Sequence, residues 1–259
     1  VKTINPQRLW EDIIDRAWRT GEPGLLFIDE MNRKNIFRQE IGDLYPNPCA
    51  EANLFENSAC NLGSINLARF LIKKNGSNPV SSGQLTRAFD FPRFNSVIGL
   101  AYRFLDDLID ANTYPTEKIT QTVKRFRQIG LGVMGLADVF LALGCRYGDA
   151  ASQEITAAIM SSFRAGVLEA NMNLGKLRGT YPAWRDVGVP GRKLRNFTTS
   201  CIAPTGTISQ IAGCSSGIEP IFSFDEMDRS IAGKRYVVPG PAKSVVAEAN
   251  VTTEQLSVK

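Results

Sequence analysis

Gly130-Leu131-Gly132-Val133-Met134-Gly135, entered from Arg127-Gln128-Ile129, is the stretch on which the fold turns. Read literally it satisfies Gly-x-Gly-x-x-Gly, the fingerprint of a dinucleotide-binding βαβ unit, whose glycines follow a hydrophobic strand and lead into a phosphate-binding helix. The flanks do not support that reading. Arg125 to Gln128 is not a convincing hydrophobic strand, and no first βα unit surrounds the motif. The glycines are therefore read without a nucleotide cofactor, and the fold has to come from what lies on either side.

Upstream, Thr116 to Arg127 predicts a polar helix. Before it, Asp90-Phe91-Pro92 introduces Phe94 to Asn112, where Val97, Ile98, Ala101, Leu105 and Leu108 form a helical stripe. Asp106, Asp107 and Asp110 on this helix read as a solvated face rather than a metal site. Downstream, Ala151 to Arg178 carries Ile155, Ile159, Phe163, Val167 and Leu174 at helical spacing and stops at Gly179, and Pro182 to Arg192 connects it to another extended stretch. At the other end, Asn5 caps a helix from Pro6 to Arg19, with Pro6 at its first position. Leu9, Ile13 and Ala17 share a face beside Trp10 and Ile14, and Trp10 and Trp18 are expected in a core. Gly21-Glu22-Pro23-Gly24 ends this helix, and Leu25 to Ile28 reads as a short buried strand. Ile65 to Lys73 reads as another extended segment leading into a surface loop, Lys74 to Pro79, while Val238 to Lys259 has weaker patterning. Strands alternating with long helices predict an α/β fold with parallel pairing.

Two stretches carry chemistry. In Asn47-Pro48-Cys49-Ala50-Glu51 an amide, a thiol and a carboxylate occupy alternating positions, and in an extended segment such side chains project to one side. The thiol can act as nucleophile, metal ligand or hydrogen-atom donor, the carboxylate can take a proton, and the amide can hold a hydroxyl. By themselves these residues also fit a buried cysteine, an Asn-Pro turn and a solvated glutamate. A second cysteine follows in Ala59-Cys60-Asn61-Leu62-Gly63-Ser64-Ile65-Asn66-Leu67. Far downstream, Arg195 to Ser209 reads as a buried strand running into the loop Ala203-Pro204-Thr205-Gly206-Thr207-Ile208-Ser209, and continues through Ala212-Gly213-Cys214-Ser215-Ser216-Gly217-Ile218-Glu219-Pro220. Small residues and hydroxyls before a helical turn suit an anion held by backbone N–H groups. An ordinary strand-to-helix turn has the same composition, and no Walker-type lysine follows the glycine.

Together these stretches resemble the catalytic large subunit of ribonucleotide reductase. The resemblance covers Asn47, Cys49, Glu51 and Cys60, the Cys60 to Asn66 run, Arg127 to Gly135 and Ala203 to Ser209. Ala17 to Gly24, Phe27-Ile28-Asp29 and Asn32-Arg33 add to it, and the blocks keep the family's order to about Phe222. Pro48 and the short gap between Cys49 and Cys60 are most similar to the adenosylcobalamin-dependent class, and Glu51 counts against the glycyl-radical class.

The resemblance implies that residues 1–259 form about the later half of a ten-stranded α/β barrel. A central finger loop at about 47–60 carries the radical cysteine, the Gly130 to Gly135 segment is a barrel strand and turn, and residues 203–209 bind substrate phosphate. It also implies a mechanism. A thiyl radical on Cys49 abstracts the ribose 3′ hydrogen, Glu51 accepts the 3′-hydroxyl proton, Asn47 holds the sugar hydroxyls, and Cys60 is one member of a cysteine pair that supplies two electrons. The expected cofactor is adenosylcobalamin, with no metal bound by protein side chains. The expected partners are a ribonucleoside di- or triphosphate, the missing N-terminal half of the barrel, a thioredoxin-like reductant and, in the full-length protein, a second copy in a homodimer. The sequence departs from the family in having no cysteine before Cys49 and no C-terminal cysteine pair, so the piece alone is expected to be inactive. A nucleotide-binding relic and one piece of a split reductase are the alternatives. Cys145, Cys201 and Cys214 read as buried small residues.

Composition sets outer bounds. With 43% hydrophobic residues, 259 residues suffice for one large domain or two small ones. A formal charge of +4, spread along the chain, does not indicate nucleic-acid binding. The absence of histidine excludes His-ligated metal chemistry and His-based acid–base catalysis within this sequence. Five cysteines without a regular framework fit a reducing cytosol, and no apolar run is long enough for a bilayer, so a cytoplasmic protein without membrane association is expected.

Overall fold

Helix α1 (Pro6–Thr20) starts as its sequence dictates. The Asn5 side chain accepts from the Gln7 and Arg8 N–H groups, Pro6 takes the first turn, and Gly21 closes the helix in the left-handed conformation, its N–H donating to the Ala17 carbonyl. This computed structural model describes residues 3–72, 85–185 and 191–221 with their side chains (Thr86 excepted), and the backbone of two short strands beyond them. The expected loop from Lys74 to Pro79, the tail from Val238 to Lys259 and part of the Pro182 to Arg192 connection lie outside the described residues. Val1–Glu56 and Asn57–Lys259 form two compact units.

In the first unit α1 is followed by α2 (Ile28–Arg33), α3 (Arg38–Ile41) and an antiparallel hairpin of β1 (Tyr45–Pro46) and β2 (Asn53–Leu54). Two expectations fail here. No side chain of α1 is buried, and Trp10 and Trp18 are 51% and 84% exposed, because among the described residues nothing covers the apolar face of the helix. Leu25 to Phe27 is also exposed and forms no strand, since no neighbouring strand among the described residues takes up its backbone groups. The unit is held instead by buried amides. Asn32 accepts from the Leu44 N–H at 2.7 Å and donates to the Leu44 and Ile28 carbonyls, while Asn35 accepts from the Phe37 N–H and donates to the Gly42 carbonyl. Phe37 and Phe55 meet edge to face beside them.

The second unit is built on parallel strands. β3 (Asn61–Asn66) pairs with β4 (Ile129–Met134) from Asn61↔Ile129 to Asn66↔Met134. On the other edge of β4, Ile129 and Leu131 donate to the Thr198 and Thr199 carbonyls and Cys201 donates back to Leu131, a parallel bridge centred on Ser200. The order is thus β3, β4, then residues 198–201. The extended reading of Ile65 to Lys73 is corrected: the strand ends at Asn66, whose side chain accepts from the Ala68 N–H and starts a 3-10 turn, Leu67–Phe70.

Between β3 and β4 run α4 (Leu85–Ala88), α5 (Phe91–Ala111) and α6 (Glu117–Phe126), and between β4 and residue 198 run α7 (Leu136–Ala142) and α8 (Ala150–Arg178). Such crossovers are what parallel pairing requires. Phe94, Ile98, Tyr102, Leu105 and Ile109 of α5 and Ile155, Ile159, Phe163, Val167 and Leu174 of α8 are buried in one core with β4, all six of whose residues are buried. Helix α9 (Ile208–Ala212) follows, and β5 (Met227–Arg229) pairs antiparallel with β6 (Lys234–Tyr236). Gly130 and Gly132 lie inside β4 and only Gly135 is in the turn, so the literal fingerprint has none of the strand-end geometry of a dinucleotide site.

The acidic cluster on α5 is the clearest surprise. Asp106 is fully buried and receives Arg127 Nε at 2.9 Å, Arg195 Nε at 3.1 Å, Arg178 Nη1 at 3.2 Å and Asn196 Nδ2 at 3.1 Å. Asp110 takes a two-pronged contact from Arg127, which holds its carboxyl below the usual range, and Asp107 pairs with Arg178. Helical spacing identifies which residues share a face, but these arginines come from positions far away in the chain, so the solvated reading is wrong for Asp106. Among the cysteines, Cys214 is buried as expected, whereas Cys145 and Cys201 are only half-buried. Among the described residues no helix is long and apolar enough to cross a membrane.

Candidate active site

The β1–β2 hairpin presents Cys49. Asn47 and Ala52 close its loop: the Asn47 N–H donates to the Ala52 carbonyl at 3.1 Å, and the Ala52 N–H donates to Asn47 Oδ1 at 3.1 Å. Within it the Ala50 N–H donates to the Asn47 carbonyl, making a turn with Pro48 and Cys49 at its centre and Ala50 at φ +62°. The stretch is therefore not extended, and the one-sided alternation expected for Asn47, Cys49 and Glu51 does not hold. Instead the Asn47 side chain braces the loop, Cys49 is exposed near its tip, and Glu51 is half-buried with Oε2 inaccessible and without a hydrogen-bond partner among the described residues. The thiol and the carboxylate thus sit two residues apart on one closed loop, residue types suited to hydrogen-atom and proton transfer.

In the second unit Cys60 immediately precedes β3 and is half-buried. Ser58 Oγ donates to Gln128 at 2.9 Å, and the Asn61 side chain donates to the Leu105 carbonyl and accepts from Asn112 Nδ2, which anchors both sides of Cys60. The 203–209 loop leaves the opposite ends of the strands. At about 3.3 Å per residue, the length of β4 separates it from Cys60 by roughly 15–20 Å.

The loop is tightly held. Thr205 sits at φ +55°, its Oγ1 accepting from the Gly217 N–H at 2.7 Å, and the Ser209 N–H donates to the Thr205 carbonyl at 2.9 Å. The hydroxyls of Ser209 and Ser216 are 2.9 Å apart, and the Cys214 N–H donates to the Ser209 carbonyl at 3.0 Å. Pro204, Gly206, Thr207 and Ile208 face solvent, and Ala203 is half-buried. A group that sequence reasoning missed supports this arrangement: Asp138, fully buried in α7, accepts from the Ser215 N–H at 2.6 Å. Burial raises its pKa, opposed by the Ser215 N–H, and burial with the nearby Asp138 charge pushes the Cys214 thiol up to about 12, which keeps it out of thiolate chemistry. Left-handed Gly213 and Gly217 hinted at a folded-back strap here, but nothing in the sequence marked Asp138.

Residues 1–193 and 188–259 match the family model described as ribonucleotide reductase, barrel domain. The chain is 40% identical over 260 residues to the vitamin B12-dependent ribonucleoside-diphosphate reductase of Thermoplasma acidophilum, covering 99% of this chain and 32% of that protein. It is 37% identical over 234 residues to a Mycobacterium tuberculosis protein of the same name, covering 90% of this chain and 32% of the relative. The chain thus spans about a third of the length of these curated relatives. Among solved structures, the alpha subunit of the Actinobacillus ureae class Id ribonucleotide reductase superposes with a TM-score of 0.70 at 22% identity, over 96% of this chain and 44% of that one, a likeness of fold. With the match running the length of the sequence, the chain belongs to the ribonucleotide reductase barrel-domain family.

Proposed function

We propose that this chain is part of a radical enzyme that reduces ribonucleotides to 2′-deoxyribonucleotides, and that it supplies part of a ten-stranded α/β barrel with the 47–60 segment as its finger loop. The observation that carries this reading is the hairpin turn that exposes Cys49 while leaving a buried Glu51 oxygen without a partner. A thiyl radical on Cys49 abstracts the 3′ hydrogen of the ribose, and Glu51 takes the 3′-hydroxyl proton. Asn47 keeps the loop closed and so fixes both groups toward the sugar. Cys49 and Glu51 later return the hydrogen atom and the proton to the 3′ position, which regenerates the thiyl radical, and replacing the 2′-hydroxyl by hydrogen with loss of water consumes two protons and two electrons. These come from Cys60 and a second cysteine outside this chain, which close into a disulfide that a thioredoxin-like protein reduces. The substrate is a ribonucleoside diphosphate, by analogy with the names of the relatives, and its phosphates lie on the 203–209 loop. A nucleotide that touches this loop and lies near Cys60 extends along the sheet.

Two relatives are named as vitamin B12-dependent, and we take adenosylcobalamin as the cofactor. An exposed thiol is reachable by a bulky cofactor, and the chain has no histidine to ligate cobalt, so the residues here fit a cofactor that brings its own ligands. When bound, the cofactor supplies the unpaired electron that starts the chemistry.

The test is deoxynucleotide formation by the full-length reductase carrying this region, with adenosylcobalamin and a ribonucleoside diphosphate, alongside Cys49→Ser. Turnover in the parent and background activity in the variant are expected. Activity that survives the serine substitution refutes the radical role of Cys49.

A further inference from the structure

We propose that Asp138 is a positioning residue for the anion-binding loop, acting through the strap of residues 214–217; this rests on reading residues 203–209 as the phosphate site. The strap is tied at two levels. Ser215 is fixed to the start of α7 in both directions: its N–H donates to Asp138 Oδ2 at 2.6 Å and its carbonyl accepts from the Gly135 N–H at 2.9 Å. The other three strap residues each reach the loop, Cys214 at the Ser209 carbonyl, Ser216 at the Ser209 hydroxyl and Gly217 at Thr205 Oγ1. The backbone at 205–209 is therefore held through Ser215.

The strap packs closely against its neighbours. A β-carbon on Gly217 would stand 2.8 Å from the Ala203 carbonyl oxygen, and one on Gly135 would stand 2.8 Å from Asn66 Oδ1 and 3.4 Å from the Cys214 β-carbon. The choice of group is also telling. Asp138 Oδ1 is inaccessible and has no hydrogen-bond partner among the described residues, so this carboxyl is kept in place at a desolvation cost that a neutral acceptor avoids. Costs of this kind concentrate at functional sites. A rigid strap fits the need, because backbone N–H groups bind an anion well only when they are aligned before it arrives.

The experiment uses the full-length reductase and measures kcat, the KM for the ribonucleoside diphosphate, and competitive inhibition by inorganic pyrophosphate and by the unphosphorylated nucleoside. Asp138→Ala is expected to raise KM and the pyrophosphate Ki about tenfold, with kcat and the nucleoside Ki within about twofold. Asp138→Asn, which keeps an acceptor for the Ser215 N–H, is expected to restore both to within about twofold. Should the alanine variant fail to fold, Asp138→Ser, whose hydroxyl stops short of Ser215, carries the same expectation. Gly206→Asp is the control for the loop itself, since its exposed position has open space for a side chain and the new charge repels phosphate. A raised pyrophosphate Ki in Gly206→Asp but not at Asp138 overturns the positioning role alone. An unchanged Ki in Gly206→Asp overturns the phosphate reading and this proposal with it. Equal losses in kcat, KM and nucleoside affinity at Asp138 reduce it to general scaffolding and also overturn the proposal.

Discussion

A β-carbon on Gly132 would stand 2.2 Å from the Cys201 carbonyl oxygen, and one on Gly130 would stand 2.5 Å from the Cys201 sulfur and 2.6 Å from a Leu62 methyl group. The sulfur and methyl ends can shift, but the carbonyl belongs to the backbone of the adjoining extended segment. Gly132→Ala must therefore push residues 198–201 off the edge of β4, and a cost of at least about 1–3 kcal/mol is expected, seen as a lower urea midpoint. Gly130→Ala should cost less, and the reverse ranking would contradict this account. The glycine spacing was visible in the sequence, as was the lack of a hydrophobic strand before it, which sufficed to reject a dinucleotide site. What the glycines make room for was not visible, because the residue they meet is some seventy positions away. At the candidate site, Cys49, Glu51 and the 203–209 loop could be picked out by residue type. The turn that separates Asn47 from Cys49 was foreshadowed by Asn-Pro but outweighed by the assumption of an extended segment.

At the scale of elements, the N-terminal ends of β4 and of the 198–201 segment are fastened to α5 through Asp106. Arg127, left-handed at φ +48° at the end of α6, and Arg195, just before the extended segment, converge on the same carboxylate. With Asp106 fully buried, removing it takes a carboxylate from the buried Arg127 guanidinium and from the half-buried Arg195, so Asp106→Ala is expected to destabilise by about 3–5 kcal/mol. Asp107→Ala, whose side chain is 47% exposed, should change stability by less than about 1 kcal/mol. Denaturant unfolding of both variants checks the contrast, and similar losses would mean that the network is not centred on Asp106. Helices were the most legible elements: the starts at Pro6 and after Thr116 and the stop at Gly179 follow from local caps. Segments whose state depends on remote partners were not. Leu25 to Phe27 has strand composition without a neighbouring strand among the described residues, and Asp106 has a surface residue's identity in an interior position.

At the scale of the whole molecule, exposed apolar side chains stand out. Ile4 before α1, Leu9, Trp10, Ile14 and Trp18 along it, Leu25 to Phe27 after it, and Leu100 and Phe104 one turn apart on α5 all face solvent. The 259-residue chain on its own is expected to self-associate at micromolar concentration, and the double variant Trp10→Glu, Trp18→Glu to do so measurably less. Light scattering across a dilution series decides, and a monodisperse parent would count against α1 as a sticky face. The α/β class and its parallel pairing were legible from alternating periodicities, and the division near Glu56 was not, since no composition shift marks it.

The parallel register of β3 with β4 has a consequence for synthesis on the ribosome. Asn61 emerges well before Ile129, with α5 and α6 still to be made, and Ser200 comes later again. At roughly 5–20 residues per second, the nascent strand waits several seconds for its first neighbour and about as long again for the next. During that interval the helices can form from local contacts alone, and the pairing on both edges of β4 is completed only once residues 198–201 have been made.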